Sequence, residues 1–328
     1  MSRETILVVG GAGFIGSHTA KHLHSQGFEP VVYDNLSTGH PSSVRWGPLV
    51  EGDILNTWRL AETILQYKPA AIIHFAASAY VGESVENPAK YYANNVNGTL
   101  SVLEACRRAS ANKLIFSSSC AIYGIPDRLP ICETETPRPI NPYGRTKLIA
   151  EQMLADYSAA YGLNYVALRY FNASGADPER ELGEWHNPET HLIPRALLAT
   201  GGALETLDVF GSDYDTPDGT CVRDYIHVTD LARAHVLAVE YLLSGGDNLA
   251  VNLGTGRGTS IKEIVSAIER VCGRPVPVAM RTRRAGDPPA LYAASDLAAE
   301  KLGFRALHSD IETIIRTAAP FFGLEVRG

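Results

Sequence analysis

The stretch "ILVVGGAGFIGSHTAKHL", residues 6–23, decides the fold. Four apolar residues, Ile6 to Val9, run straight into Gly10, Gly13 and Gly16, and a helix-like segment follows. A strand that becomes a helix through closely spaced glycines offers free backbone N–H groups and a favourable dipole, a ready cradle for a diphosphate. Such turns are common, so context has to carry the reading. Here Asp34 closes the next apolar run. It stands roughly 20 residues beyond the glycines, where a carboxylate binds ribose hydroxyls and repels a 2′-phosphate. The pair therefore favours NAD over NADP. The spacing is GxxGxxG rather than GxGxxG.

Working outward, short apolar runs alternate with helical ones. "TILVVG" (5–10), "PVVYDN" (30–35), "LVEGDI" (49–54), "AAIIHFAA" (70–77), "KLIFSSSC" (113–120) and "YVALRYFN" (165–172) read as buried strands. Between them lie the helical runs 18–27, 58–68, 89–110 and 143–162. This alternation predicts an α/β fold: a Rossmann-type, doubly wound parallel sheet with ligands at the carboxyl ends of its strands. After Asn172 the chain turns rich in Gly, Pro, Asp and Glu, with a short helix near "HLIPRALLAT" and a strand at "LDVFG". A helix–strand unit then returns at "VTDLARAHVLAVEYLL" and "LAVNLGTG". The expected division is a sheet domain of 1–172 plus 225–256 and a smaller C-terminal α/β lobe of 173–224 plus 257–328.

The 328 residues suffice for one large domain or a large and a small one. A formal net charge of −7 argues against nucleic-acid binding through a basic surface. Five scattered cysteines without CxxC spacing form neither a disulfide framework nor a zinc site, and suit a reducing compartment. No stretch reads as a signal peptide or a membrane span, so a cytoplasmic protein is expected. "SDYDTPDGT" (212–220) lacks the ligand spacing of a calcium loop, and no metal is expected.

The chemistry gathers around "INPYGRTKLIAE" (140–151). Asn141-Pro142 reads as a helix entrance, which places Tyr143 and Lys147 on one face, about 5–6 Å apart at Cβ. A lysine that close is expected to pull the phenol below its usual range, making a base that works near neutrality. Upstream, "IFSSSCAIYG" ends the fifth strand in serines, where a hydroxyl can bridge substrate and tyrosine. Asp53, at the end of the third strand, is a candidate for the adenosine end or simply a turn former.

GGAGFIG, SSSxxxYG and YGRTK together resemble the extended short-chain dehydrogenase/reductases. The likeness runs through the chain. With "HFAASAYVGESVENPAKYY", "LRYFNASGADP", "HLIP", "VFGSDYDTPDGTCVRDYIHV" and "RRAGDPPALYA" it becomes similar to the UDP-glucose 4-epimerases. The resemblance implies reversible 4-epimerisation of UDP-glucose and UDP-galactose through a 4-keto sugar, with bound NAD and a homodimer. It implies Tyr143 as base, Lys147 as its partner and Ser119 as bridging hydroxyl. Cofactor contacts are implied for Gly10, Gly13, Phe14, Ile15, Gly16, Asp34, Asn35, Asp53, Ile54, Phe75, Ala76, Ala77, Asn95, Ser117 and Phe171, besides Tyr143 and Lys147. For the UDP-sugar it implies Ser119, Tyr143, Asn172, His191, Leu192, Phe210, Arg223, Arg284 and Asp287. Arginine forks suit diphosphate oxygens.

Departures narrow this. Nucleotide-sugar 4,6-dehydratases place an Asp-Glu pair after the strand-five hydroxyl, where this chain has Cys120 and Ala121. A non-catalytic NAD sensor typically loses the tyrosine or lysine, and both stand here. Ala79 replaces a lysine found in some epimerases. Leu291 occupies the position that gates N-acetyl groups, which leaves N-acetylhexosamines open, as well as UDP-xylose and UDP-arabinose.

Overall fold

Alternate residues of the first strand feed different cores, the period-two signature of a sheet covered on both faces. In β1 (Thr5–Val9), Ile6 and Val8 join one apolar cluster while Leu7 and Val9 join another. The computed structural model of the chain describes residues 3–284 and 288–327. α1 (Phe14–Ser25) leads to β2 (Glu29–Asp34) and the short β3 (Leu49–Glu51), and α2 (Thr57–Tyr67) to β4 (Ala71–His74). α3 (Val81–Glu86), α4 (Pro88–Tyr91) and α5 (Gly98–Arg108) precede β5 (Lys113–Ser119). α6 (Pro142–Tyr161) precedes β6 (Asn164–Tyr170).

Beyond β6 come β7 (Asn172–Ser174), α7 (Leu192–Thr200), β8 (Leu207–Phe210), β9 (Val222–Arg223) and β10 (Tyr225–His227). α8 (Val228–Leu243) and β11 (Leu249–Leu253) follow, then β12 (Thr259–Ser260), α9 (Ile261–Cys272) and β13 (Val278–Arg281). β14 (Ala290–Leu291), α10 (Asp296–Leu302) and α11 (Ile311–Ala318) come last.

Seven strands form one parallel sheet in the order β11-β6-β5-β4-β1-β2-β3. Its order reverses at β1, the switch point at which such sheets bind ligands. Leu23 of α1, Leu231 and Val239 of α8 and Leu302 of α10 pack on one face. Leu60 of α2, Val102 of α5 and Leu154 of α6 pack on the other. The Rossmann-type expectation is met. A third cluster joins α7, β8, α9 and α11 through Leu197, Val209, Ile268 and Ile315. There β13 pairs with β8, β10 pairs with β7, and β9 lies between β12 and β14.

Local chemistry sets the element that matters most. Asn141 caps α6 by accepting from Gly144 N at 2.8 Å, with Pro142 in the first turn where its missing N–H costs nothing. The run 89–110, which reads as one helix, is not one. Between α4 and α5 the residues Tyr92–Asn97 widen into a π-helical turn. That turn carries Asn95 inward, where it spans the chain after β4 and the start of α6. Apolar periodicity cannot register one widened turn.

Candidate active site

Three serines end β5, and each has a different employer. Ser117 Oγ lies 2.5 Å from Tyr170 Oη, and Ser118 Oγ donates to Glu151 Oε1 at 2.5 Å. Ser119 hydrogen-bonds Tyr143, and its Oγ also accepts from Ala121 N at 3.1 Å. Lys147 stands behind the tyrosine. Its Nζ donates to Ser117 O at 2.7 Å and lies 5.9 Å from the centre of the Tyr143 ring. The expected Ser119, Tyr143 and Lys147 are therefore assembled at the carboxyl end of β5. Tyr91 meets the Tyr143 ring edge-on, with centroids 6.5 Å apart.

The charge state differs from the expectation. Burial pushes Tyr143 above the usual phenol range, and the Ser119 hydrogen bond only partly opposes it. Burial also pulls Lys147 from 10.5 down to about 7, against the field of Glu151. Spacing shows that the two groups are neighbours; it does not show that both are taken out of water together, which disfavours either charge.

The dinucleotide side is built around the β1–α1 turn. Gly10 has φ +83°, and a Cβ there would stand 2.5 Å from Ala76 N; one on Gly16 would stand 2.3 Å from Gly10 O. Packing alone demands those two glycines. At Gly13 a Cβ would meet only Gly10 O at 3.5 Å, an ordinary contact. Its missing side chain instead leaves open the start of α1, where no side chain caps the helix. Asp34, at the end of β2, accepts from Ala12 N at 3.0 Å and Leu36 N at 2.8 Å. Asn35 Nδ2 donates to Asp53 at 2.9 Å, and Ile54 is buried beside them against Gly98. These features fit a dinucleotide laid over the helix start. Phe14 and Ile15 open α1 itself. Phe75 and Ala76 hydrogen-bond back to Val9 O, and Ala77 comes next in the chain. Asn95 joins Ser78 to Thr146, which in turn donates to Tyr143 O at 2.7 Å. Phe171 packs with Cys120, Ile122 and Tyr123.

The remaining expected residues lie on the smaller sheets. Asn172 Nδ2 donates to Asp224 O at 3.1 Å. Arg223 pairs in register with Leu291 of β14, and its Nη1 donates to Val222 O at 2.8 Å. The Arg284 guanidinium lies 3.9 Å from the centre of the Phe210 ring. His191 stands at the N-cap position of α7 with its side chain turned to Glu184 rather than to the helix, and Leu192 packs against the third cluster. Asp287 lies outside the described residues. Cys120 is 1 % exposed and its thiol is held well above its usual range by burial, while Ala121 has no proton to give.

Residues 6–254 match the family model described as the NAD dependent epimerase/dehydratase family. The chain belongs to that family. It is 57 % identical over 318 residues to a UDP-glucose 4-epimerase of Rhizobium leguminosarum bv. trifolii, spanning 97 % of each chain. The crystal structure of UDP-glucose 4-epimerase from Brucella ovis in complex with NAD superposes with a TM-score of 0.98 at 73 % identity, covering 99 % of this chain and 100 % of that one. A UDP-glucose 4-epimerase of Stenotrophomonas maltophila with bound NAD and formylated UDP-arabinopyranose gives 0.94 at 38 % identity, over 98 % of both chains.

Two features of this family member escape a reading by motif. Glu151 and Arg169 form a buried fork-to-fork pair at 3.0 and 2.6 Å, and Arg169 Nη1 also donates to Tyr123 Oη at 2.8 Å. The pair ties α6 to β6 beneath Lys147. The second is a cluster of Glu184, His186, Glu189 and His191 in the loop before α7. The two histidines five positions apart in "HNPETH" were its only trace in the sequence.

Proposed function

We propose that this chain catalyses the reversible, NAD-dependent 4-epimerisation of a UDP-hexose, with UDP-glucose and UDP-galactose as the pair. One observation carries the reading: Ser119, Tyr143 and Lys147 converge at the carboxyl end of the sheet, and Ser119 is followed directly by Cys120 and Ala121, which cannot supply the acid and base that eliminating water needs. NAD, when bound, supplies a hydride acceptor and donor for sugar C4 and a positive charge that favours the Tyr143 phenolate.

The chain's own groups handle the proton. Tyr143 takes it from the sugar 4-hydroxyl as a carbonyl forms and returns it as the carbonyl is reduced; Ser119, which both donates and accepts, bridges the two oxygens. Lys147, fixed by Ser117 O, supplies the cation that steadies the phenolate. Gly10, Gly13, Phe14, Ile15 and Gly16 would hold the cofactor's diphosphate, and Asp34 its ribose. Asn35, Asp53 and Ile54 would hold the adenosine end, and Phe75, Ala76, Ala77, Asn95, Ser117 and Phe171 the rest. Asn172, His191, Leu192, Phe210, Arg223, Arg284 and Asp287 would anchor the UDP-sugar. Tight contacts far from C4 leave the sugar free to turn over between the two proton transfers.

The sheet domain (1–172 plus 225–256) would carry the cofactor and the smaller lobe (173–224 plus 257–328) the UDP. Five free cysteines suit a cytoplasmic setting, and no helix among the described residues is long and apolar enough to cross a membrane. A homodimer through 87–110 and 142–161 is supported by the exposed Tyr92, Leu100 and Tyr161 on those segments. The deciding test is incubation with UDP-glucose, UDP-galactose, their N-acetyl forms, UDP-xylose and UDP-arabinose, with products resolved. Interconversion of glucose and galactose forms is expected; no change in any UDP-sugar would overturn the proposal.

A further inference from the structure

Between β7 and α7 the chain runs from 175 to 191 without helix or strand. A stretch that long has to be held by its side chains. Asp177, Glu179 and Glu181 close on Lys21 Nζ of α1 at 2.7–2.8 Å, so an ammonium already fills that acidic group. Glu184 and Glu189, with side chains 3 % and 10 % exposed, pair with no lysine or arginine among the described residues. They face the imidazoles of His186 and His191 instead. One ligand atom from each of the four side chains lies within 4.8 Å of the other three.

His186 Nδ1 lies 3.3 Å from Glu184 Oε1 and 3.5 Å from Glu189 Oε2. It is buried, yet among the described residues it has no hydrogen-bond partner. A buried nitrogen left unsatisfied between two carboxylates calls for an explanation. A zinc ion about 2.0–2.2 Å from each of four nitrogen and oxygen ligands sets them about 3.3–3.6 Å apart, along the edges of a tetrahedron. Both His186 distances match that edge. His191 Nδ1 hydrogen-bonds the same Glu184 oxygen, and a metal binding there would displace the shared proton.

We infer that Glu184, His186, Glu189 and His191 form a metal site, in which Nδ1 of each ring and one oxygen of each carboxylate bind a single zinc-like divalent ion. Two imidazoles and two carboxylates without a thiolate suit Zn²⁺ and its neighbour Co²⁺, whereas Ca²⁺ and Mg²⁺ take oxygen ligands. Four protein ligands leave no open position, which marks a structural site rather than a catalytic one. Its surroundings show what it would fasten. Trp185 stacks on His40 with ring centres 4.9 Å apart, His186 meets Phe14 at the start of α1 at 6.4 Å, and Tyr80 packs against both imidazoles. The ion would therefore pin residues 184–191 against α1 and the chain after β4, and so fix the entrance of α7. A metal-free chain is what the sequence predicts; the four ligands converge only once the loop is folded.

The test is titration of Zn²⁺ alone, by calorimetry, into the full-length, untagged, NAD-bound protein after treatment with a chelator. Saturable binding of one ion per chain is expected, with a rise in melting temperature. His186→Gln should weaken it by more than the roughly 10–100-fold that loss of an outer-shell partner costs, and should abolish the rise. Co²⁺ alone should give the parent, and not the variant, the intense visible bands of a four-coordinate ion. No saturable binding, equal zinc affinity in parent and variant, or a six-coordinate Co²⁺ spectrum overturns the inference. If His186→Gln does not fold, Glu189→Gln serves with the same expectations. UDP-galactose turnover, followed in parallel, judges the proposed function separately: its absence leaves a confirmed metal site standing, and its presence without zinc binding does the reverse.

Discussion

Burying Lys147 should cost the protein stability, and replacing it should recover some. The amine is 3 % exposed, and burial takes it from 10.5 to about 7. A lysine with a depressed folded value destabilises most below that value. The penalty eases as pH rises from about 7 towards 10.5, because the unfolded chain still binds the proton that the folded one has released. At pH 7 the difference corresponds to about 4 kcal/mol. Lys147→Met keeps the stem and removes the amine, at the loss of one hydrogen bond to Ser117 O, worth about 1–2 kcal/mol. The nucleotide-free variant should therefore be more stable than the parent at pH 7 by about 2–3 kcal/mol, and inactive. Its advantage should shrink by about 1.4 kcal/mol per pH unit between pH 7 and 9. Thermal unfolding of both proteins across that range reads this as a gap of several degrees that closes. A gap absent at pH 7, or constant with pH, would refute the argument.

Tyr143→Phe should lower turnover by about 10²–10⁴ with an unchanged melting temperature, since it removes the proton carrier and little packing; near-normal turnover removes Tyr143 from that role. The two glycine substitutions should part company. Gly16→Ala drives a Cβ to 2.3 Å from Gly10 O and should lower the melting temperature, whereas Gly13→Ala meets only an ordinary contact and should lose bound NAD with the fold intact. Equal melting losses in the two variants would contradict the assignment. Glu151→Ala leaves the Arg169 guanidinium buried without its carboxylate and should cost about 3–5 kcal/mol in denaturation; a loss under 1 kcal/mol would mean that water reaches Arg169.

The large sheet was legible because its signals are local and repeated: β1 alternates between two cores, and Asn141-Pro142 caps α6 as it reads. The smaller sheets beyond it were less so. Their strands β9, β12 and β14 have two residues each and are defined by partners far along the chain, which leaves no period to detect. At the site, Tyr143, Lys147 and Ser119 were visible as types at a spacing. Their charge states were not, because burial arises from elements that converge only in three dimensions. Glu184 shows the same limit: one glutamate in a polar loop carries no mark of being the buried partner of two histidines.

The fate of one atom tests the central claim most directly. UDP-galactose carrying deuterium at C4, given to the purified protein in ordinary water, should yield UDP-glucose with the deuterium still on C4. Conversion with loss of the label to solvent, or no conversion at all, would contradict the account.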